Sequence, residues 1–424
     1  MGRRAAWLVG IVASGAIGAG AYLAFPRKAP EPPPPAFSYA ELTGSIFLPL
    51  PKDGPAAPRV RELEVPSFDN ATAIWGATGR GPFGHIWIGV SASSDGKSAH
   101  LFEYAPQEAR WYDRGDVLGE LKAAGLYRSG MGQIKIHSKI VPAQDGWLYF
   151  ASTDEEGEQA RPALLPRWGS HLWRIDPRAH TWEHLLAVPE GLVAVSGVGR
   201  YVYALGYWDH VLYQYDTRTR TSLRVVVGSV EGHVSRNFLA DLRGHAYVPR
   251  LRARADKSVS VELLEYDDRL REVGATPLEH YLGADSPAEN HGIVGLAYLP
   301  DGRMVFSTHV GYLYLVEPSE GTARVSELGP LHPQGEAYAP SLFAFGGNRW
   351  IAGVAQRGES FEWVVYEMQS RMSAAFPLDT SGLKKVLLYG SMARDEAGRA
   401  YLVGWASNGV GGQRPLVLQV DPGR

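Results

Sequence analysis

The sequence predicts an all-β protein, a seven-bladed β-propeller that follows an N-terminal transmembrane helix and a proline-rich linker. Three observations lead to this class. A five-residue motif recurs with a period near fifty residues, glycine turns followed by short aromatic strands precede several copies, and the N-terminus carries a long uncharged apolar segment. At 424 residues the chain is long for one simple core, but a propeller fills this length as a single domain.

The repeated motif is an apolar residue, two variable positions, an aliphatic or aromatic residue and usually an acid. Its seven copies are LFEYA from Leu101, LWRID from Leu172, LYQYD from Leu212, LLEYD from Leu263, LYLVE from Leu313, WVVYE from Trp363 and VLQVD from Val417. Their last residues are 71, 40, 51, 50, 50 and 54 positions apart, and the long gap holds polar insertions near 113–132 and 154–170. Such a period is typical of architectures built from one supersecondary unit per repeat.

Tight turns divide each repeat into strands. Examples are DGWLY from Asp145, RGHAY from Arg243, DGRMV from Asp301 and AGRAY from Ala397. Asp-Gly between apolar runs is a strong hairpin signal, so each unit reads as four antiparallel strands, which is one propeller blade. Seven copies predict seven blades, and six blades with an unrelated sheet is the alternative.

The two ends of the propeller are expected to meet, with the propeller spanning 59–424. The last copy stops after the third strand of its blade, whereas RVRELEVP at 59–66 alternates as a strand should. We expect 59–66 to complete the seventh blade, because an unpaired edge would otherwise stay open. Regular helices are nearly absent, and 117–124 predicts one short surface helix.

Residues 1–25 are predicted to anchor the chain in a membrane. Ala5–Phe25 is 21 residues long and uncharged, which is enough to cross a bilayer as a helix. A cleaved signal segment ending at Ala21 is the alternative. The charge bias around the segment slightly favours a cytoplasmic N-terminus and so a periplasmic or cell-surface propeller.

Residues 26–58 form the predicted linker. Pro32–Pro35 are consecutive, which favours a semi-rigid polyproline II spacer, and a disordered linker is the alternative.

Composition limits the partners and the chemistry. Glycine (49 residues) and proline (29) are abundant, and 12 tryptophans with 21 tyrosines favour pleated, half-buried surfaces. The net charge of -3 gives no basic face for nucleic acid, so no nucleic-acid partner is expected. The absence of cysteine excludes disulfides, thiolate metal sites and a cysteine nucleophile.

Candidate site residues follow from the blade pattern, because propeller ligands usually meet the starts of the innermost strands and the ends of the second strands. The strand starts carry His137, Arg236, Asn237, His291, Tyr338 and Tyr389, and the strand ends carry Asp154, Trp208, Asp209, His210, Arg250, His309, Trp405 and Asn408. Arginine binds carboxylates bidentately and aromatic faces stack on sugar rings, so we expect a small anionic or sugar-like ligand. The alternative is that these side chains only fill the channel.

The fifth blade places His291 and His309 at the same end of one hairpin. Two neutral imidazoles there predict either a divalent metal site or an acid–base pair, and the second blade repeats this arrangement with His137 and Asp154. No HExxH, EF-hand, GxGxxG or P-loop pattern occurs, and the tryptophan docking motif of quinoprotein propellers is missing. One divalent metal is therefore the only cofactor considered, and neither a nucleotide nor a quinone is expected.

HSKIVPAQDGWLYFAS from His137 and HGIVGLAYLPDGRMVFSTHVG from His291 resemble blades of a bacterial propeller superfamily. It includes the SMP-30/lactonase-like and streptogramin-lyase-like proteins, and oligogalacturonate lyases share its seven-bladed plan. The resemblance implies a histidine base, His291 or His309, with a metal or an arginine, Arg236 or Arg250, neutralising a substrate carboxylate. The sequence lacks the His-x-His metal motif of oligogalacturonate lyases.

Three functions remain open from the sequence. The first is a membrane-tethered, extracytoplasmic propeller that binds a small ligand, a glycan or a partner protein at its axial face. The second is a lyase or hydrolase acting on an acidic sugar or a related ester, with histidine abstracting a proton beside a carboxyl group and Arg236 or a metal stabilising the enolate. The third is a scaffold subunit of a membrane complex.

Overall fold

The computed structural model describes residues 55–93, 97–160, 163–230, 232–409 and 411–422. Within them, seven antiparallel blades form a β-propeller, which confirms the predicted fold class. The predicted anchor Ala5–Phe25 and the stalk Pro26–Pro35 lie outside the described residues. In the described part of the chain, no helix has both the length and the apolar character needed to cross a membrane.

The first three blades contain most of the irregular strands. Blade one is β2 (Ala71–Ala73), β3 (Thr78–Arg80), β4 (Ile86–Ala92), β5 (His100–Ala105) and β6 (Arg110–Asp116). Blade two is β7 (Lys135–Ile136), β8 (Val141–Pro142), β9 (Leu148–Thr153), β12 (Ser170–Ile175) and β13 (Trp182–Val188). Blade three is β14 (Gly191–Ser196), β15 (Tyr201–Tyr207), β16 (Val211–Asp216) and β17 (Thr221–Val226).

The remaining blades follow the plain four-stranded pattern. Blade four is β18 (Leu239–Ala240), β19 (Ala246–Ala253), β20 (Val259–Tyr266) and β21 (Glu272–Pro277). Blade five is β22 (Ile293–Tyr298), β23 (Met304–Thr308), β24 (Tyr312–Glu317) and β25 (Arg324–Pro330). Blade six is β26 (Tyr338–Phe345), β27 (Trp350–Arg357), β28 (Ser360–Glu367) and β29 (Ser373–Pro377). Blade seven is β30 (Leu387–Tyr389), β31 (Ala400–Ser407) and β32 (Gln413–Asp421), completed by β1 (Arg59–Leu63).

The seventh blade takes its outermost strand from the other end of the chain. β1 runs antiparallel to β32, with Arg59 opposite Asp421 and Leu63 opposite Val417. The strand ends at Leu63 and is therefore shorter than the 59–66 segment expected from the sequence.

Apolar side chains fill the spaces between neighbouring blades instead of forming one central core. Trp87, Phe150 and Trp173 pack between blades one and two, and Leu63 and Tyr401 pack between blades seven and one. Each of the seven clusters in the described residues is built mainly from two adjacent blades. The ring of blades is therefore closed both by strand pairing and by packing between blades. This arrangement leaves the propeller axis free for polar side chains.

The two polar insertions adopt their own short elements. The first contains the helix α1 (Val117–Ala123), whose N-cap residue Asp116 accepts a hydrogen bond from the Gly119 amide at 2.9 Å. The second contains the hairpin of β10 (Gln159–Ala160) and β11 (Ala163–Leu164), between β9 and β12. This hairpin lies on the second blade, beside the axial site described below.

A buried aspartate at the first turn ties a blade together. In blade seven, Asp395 accepts from the Tyr401 hydroxyl at 2.8 Å, from the Arg399 amide at 3.0 Å and from Arg399 Nε at 2.6 Å. The same contact to a tyrosine hydroxyl is made by Asp241 with Tyr247 at 2.9 Å and by Asp145 with Tyr149 at 2.6 Å. Of the two turn aspartates seen in the sequence, Asp145 thus has a structural role beyond the turn.

Candidate functional site

A cavity of about 290 Å³, which we call the mouth cavity, lies at one end of the propeller axis. Residues of the first five blades line this cavity. Only a cavity on the propeller axis can contact so many blades. Its lining includes Trp75, Lys135, His137, Glu155, Glu158, Tyr207, Trp208, Arg236, Glu289 and His291. The structure thus brings together four of the predicted site residues: His137, Trp208, Arg236 and His291.

Arg236 is the positive centre of the mouth cavity. Its Nη1 donates to Nε2 of His137 at 2.9 Å. The other ring nitrogen of His137, Nδ1, lies 3.1 Å from the Val193 carbonyl, which can only accept, so Nδ1 carries the proton and Nε2 is the acceptor. Burial and then the charge of Arg236 hold the pKa of His137 well below its usual value, so the imidazole is neutral.

The charge of Arg236 has no acidic partner in the described residues. Its guanidinium makes no ion pair within 4.0 Å there, and its side chain donates to the neutral His137. Its backbone N–H donates to the His291 carbonyl at 2.9 Å, which fixes the residue between blades four and five. A partly buried guanidinium held in this way is well suited to bind an anion that enters the cavity.

His291 and His309 meet edge to face, with ring centroids 4.9 Å apart. The Nδ1 of His309 accepts from the His291 backbone N–H at 3.1 Å, so Nε2 carries the proton and lies 3.3 Å from an Asp285 carboxylate oxygen. Neither nitrogen of the neutral His309 then offers a free lone pair. His291 differs, because Nδ1 lies 3.5 Å from the Tyr338 hydroxyl and the residue lines the mouth cavity.

Burial keeps the histidine pair neutral. Burial, followed by the charge of Arg236, lowers the pKa of His291 to about 3. Burial also lowers the pKa of His309, and the nearby Asp285 carboxylate opposes that shift. Among the described residues, no group of three or more His, Cys, Asp or Glu side chains is arranged to hold a metal ion. The predicted metal site at His291 and His309 therefore has two imidazoles and no third protein ligand of these types in that part of the chain.

The acidic side chains of the mouth cavity are engaged with neighbours. Glu155 accepts from Lys135 Nζ, Glu158 accepts from the Tyr207 hydroxyl, and the exposed Glu289 accepts from the Ser286 hydroxyl at 2.8 Å. Lys135 also lies 4.3 Å from the centre of the Trp75 ring, a cation–π contact. Arg236 is left as the charged group best placed to meet a ligand.

Three aromatic residues give the mouth cavity apolar faces. Trp75 stands nearly parallel to His137, with ring centroids 6.5 Å apart. Tyr207 and Trp208 pack against each other at 4.7 Å, and Trp208 Nε1 donates to the Leu164 carbonyl of the β10–β11 hairpin at 3.2 Å. The insertion in blade two thereby positions one of the cavity walls.

Arg250 does not line the mouth cavity, although it was expected there. The sequence suggested that the strand ends near Arg250, but β19 continues to Ala253, which places Arg250 within the ladder opposite Glu262. Its guanidinium pairs with Glu262 at 3.1 Å and with Glu272 at 3.2 Å. Two carboxylates pair with this arginine on the blade, which leaves Arg236 as the arginine of the cavity.

Asp154, Asp209 and Trp405 also lie away from the lining. Asp154 is buried, and its carboxylate accepts from the Glu156 and Trp168 amides, so it organises the blade-two insertion. Asp209 is exposed on the loop after β15. Trp405 lies within β31 and hydrogen-bonds through its side chain to Tyr389.

His210 and Asn408, two further residues of the strand ends, also lie outside the mouth cavity. His210 is fully buried, with Nδ1 donating to the Pro249 carbonyl at 2.9 Å and Nε2 accepting from the Ser235 amide at 3.1 Å. Asn408 is exposed and accepts from the Gly412 amide at 3.0 Å within its own loop. Both side chains therefore stabilise loops.

A second cavity of about 20 Å³, which we call the inner cavity, adjoins the mouth cavity on the axis and shares Trp75, His137 and Arg236 with it. Its other lining residues are Lys139, Asn237, Val294, Tyr338, Tyr389 and Gly390. The predicted residues Tyr338, Tyr389 and Asn237 thus belong to this deeper level.

Sequence reasoning missed Trp75, Lys135 and Lys139. Trp75 lies in a break of the innermost strand, between β2 and β3, and His137 occupies the matching break between β7 and β8. Aligning the sequence of the first blade with that of the second would therefore have placed Trp75 at the same position as His137. This alignment was obscured because the turn before β4 in the first blade contains Phe83-Gly84 and not Asp-Gly.

No protein-family model matches the chain, and no curated protein matches it. Among solved structures, it is similar to what is described as the extracellular domain of a hybrid two-component system from B. thetaiotaomicron, with 14% identity, a TM-score of 0.52, and coverage of 85% of this chain and 39% of that one. The chain thus spans about two fifths of the length of that structure.

Two further solved structures are similar at lower TM-scores. YCF48 bound to D1 peptide has 13% identity and a TM-score of 0.46, over 88% of this chain and 97% of that one. A protein of unknown function from Dyadobacter fermentans has 11% identity and a TM-score of 0.46, over 85% and 99%. The class that fold and site define is a seven-bladed β-propeller whose axial cavity is lined by aromatic side chains and by charged side chains of both signs.

Proposed function

We propose that the mouth cavity binds a small carboxylate-bearing ligand of the acidic-sugar class, in a propeller tethered to a membrane and facing away from the cytoplasm. The observation that supports this most is Arg236, a partly buried guanidinium with no carboxylate partner in the described residues. Trp75, Tyr207 and Trp208 supply the flat faces on which a sugar ring stacks. The volume of about 290 Å³ lies near the lower end of the range of ~300–1,000 Å³ for small-molecule sites, which favours a ligand of one sugar unit.

Binding is favoured over the lyase alternative by the basicity of His291. A pKa of about 3 makes His291 a weak base at neutral pH. Relative to a base with a pKa near 7, proton abstraction loses about 5 kcal/mol of driving force. His309 lacks a free lone pair, and the Nε2 of His137 already accepts from Arg236.

Substituting Arg236 is expected to abolish ligand binding. In Arg236→Gln the cavity loses its bidentate carboxylate partner, so the affinity for D-galacturonate should fall at least about 30-fold, as expected for a charge-assisted pair of about 2–3 kcal/mol. Calorimetric titration measures this directly, and quenching of the fluorescence of Trp75 and Trp208 provides a second readout.

Arg250→Gln is the matched control, because Arg250 lies on the blade and pairs with Glu262 and Glu272. It should bind galacturonate as the wild type does, and neutral galactose should bind neither protein appreciably. Equal weakening in both variants, or equal binding of galactose and galacturonate by the wild type, would contradict the proposal.

The tether is tested separately. Full-length protein should stay with the membrane pellet after alkaline carbonate washing, because Ala5–Phe25 is long enough to span the bilayer. Release of a shorter soluble chain beginning after Ala21 would support the cleaved-signal alternative.

A further inference from the structure

The inner cavity is the size of a single small ion. Its volume of about 20 Å³ compares with the ~10–15 Å³ that one water molecule needs. Seven positions on five blades contribute its polar and aromatic lining: Trp75, His137, Lys139, Arg236, Asn237, Tyr338 and Tyr389. No carboxylate is among the lining residues, whereas two of them are cationic side chains.

Lys139 is the more deeply buried of the two cations, at 7% exposure. Its Nζ donates to the Gly76 carbonyl at 3.0 Å and to the Gly390 carbonyl, so one of its three N–H groups is left for the cavity. The two glycines permit this approach, because a Cβ would lie 3.2 Å from Nζ at Gly76 and 3.1 Å at Gly390. Within the described residues no carboxylate lies within 4.0 Å of this ammonium.

Two tyrosine hydroxyls lie beside these cations. Tyr389 lines the inner cavity, and its ring centroid lies 4.8 Å from that of Trp75. Tyr338 lines the same space and lies 3.5 Å from His291 Nδ1. The site is therefore rich in donors.

Two buried cations with no acid nearby are costly, because an uncompensated buried charge loses several kcal/mol of hydration. A water molecule would fill the space but would leave the charge uncompensated. A monatomic anion would fit the inner cavity and would neutralise the charge of its cationic side chains. Burial lowers the pKa of Lys139 to about 7, and an adjacent anion would favour the protonated form.

We propose that the inner cavity binds one halide ion, chloride under ordinary conditions, held by Lys139, Arg236 and the hydroxyls of Tyr338 and Tyr389. This site is distinct from the ligand site proposed above. It shares Arg236 with the mouth cavity, whereas Lys139 belongs to the inner cavity and not to the mouth. The anion would also contact the guanidinium of Arg236 from the inner cavity, whereas an entering carboxylate would contact it from the mouth cavity.

Bromide is the probe for a direct test. Crystals of the wild-type protein grown without chloride and soaked in sodium bromide should show an anomalous peak in the inner cavity, within contact distance of Lys139 Nζ. An inner cavity without such a peak would overturn the proposal, and this measurement requires no variant.

Solution measurements provide the second test. Exchanging methanesulfonate, which is too large for the inner cavity, for chloride at constant ionic strength should raise the thermal midpoint of the wild type in a saturable way. Lys139→Met should lose this response, whereas Trp208→Ala, altered only in the mouth cavity, should keep it. A chloride response unchanged in Lys139→Met would contradict the assignment. Galacturonate titration in chloride-free buffer tests the mouth cavity independently, so the two proposals can fail separately.

Discussion

Lowering the pH from 7 to 5 is expected to remove most of the conformational stability of the propeller. Four histidines in the described residues, His137, His171, His210 and His233, are each no more than 8% exposed. Burial lowers the pKa to about 3 in His171 and His233 and to about 4 in His210, and it holds the pKa of His137 well below its usual value. Each of these rings must therefore stay neutral in the folded protein.

The sign of the effect follows from proton uptake. The folded-state pKa of each histidine lies below the unfolded value of 6.5, so the unfolded chain binds more protons once the pH falls below 6.5. The stabilising contribution of each neutral histidine is therefore fully present above pH 6.5 and is lost progressively as the pH falls below 6.5. At pH 5 His171, His210 and His233 each cost about 2 kcal/mol, and the sum of about 6 kcal/mol falls within the ~5–15 kcal/mol that stabilises a typical folded domain; His137 acts in the same direction.

Among the described residues three acids work in the opposite direction, because burial raises the pKa of Glu120, Asp154 and Glu158. Burial raises the pKa of Asp154 to about 6, so the folded state takes up this proton before the unfolded state does. Between that pH and the unfolded value of 3.8, acidification favours folding at this residue, by about 1 kcal/mol at pH 5. The buried histidines outnumber these acids, so acidification to pH 5 still lowers the unfolding free energy.

The measurement is urea unfolding at a series of pH values, from which the slope of the unfolding free energy gives the number of protons taken up. His210→Asn should reduce that number by about one near pH 5. His180→Asn is the matched control, because both histidines have a positive φ, 49° and 57°, which asparagine tolerates, but the His180 side chain is 38% exposed. A pH-independent urea midpoint, or the same change in both variants, would contradict the assignment.

The blades could be predicted because each repeat carries its own local signals. The LYQYD copy becomes β16, and the aromatic segment before it becomes β15, buried on both sides because blades pack face to face. The outermost strands were harder to see, since β17 is largely exposed and shows little apolar alternation. The segment 59–66 was readable as a strand from its own alternation, but its partner lies more than 350 residues away along the chain.

The candidate site was only partly readable from the sequence. Arg236 and His137 could be placed on the axis because they stand at the starts of innermost strands, and the structure joins them at 2.9 Å. Arg250 occupies a similar place in the sequence, and only the length of β19 shows that it faces Glu262 instead. Lys139 gave no signal, because its environment is built from the backbone carbonyls of two distant loops.

Removing the aspartate that ties blade seven together is expected to destabilise the propeller strongly. The Asp395 side chain is 1% exposed and accepts three hydrogen bonds, from the Tyr401 hydroxyl and from the amide and Nε of Arg399. In Asp395→Ala the Tyr401 hydroxyl keeps only the bond it accepts from Gln419, so its hydrogen is buried without an acceptor. An unsatisfied buried donor and the lost charge-assisted bond together cost about 3 kcal/mol of unfolding free energy.

Asp301→Ala in blade five is the matched control for this effect. Asp301 occupies the equivalent turn and accepts from the amide of Arg303 at 3.2 Å and from its Nε at 2.7 Å, but its side chain is 38% exposed and no tyrosine hydroxyl depends on it. Water can replace these bonds, so the loss should stay below about 1 kcal/mol. Urea unfolding at pH 7.5 compares the two variants. Equal losses of unfolding free energy would mean that the turn itself, and not the buried hydrogen bond to Tyr401, provides the stability. The expected threefold difference would assign the stability to the Tyr401 hydroxyl, which links the turn to the second strand of the blade.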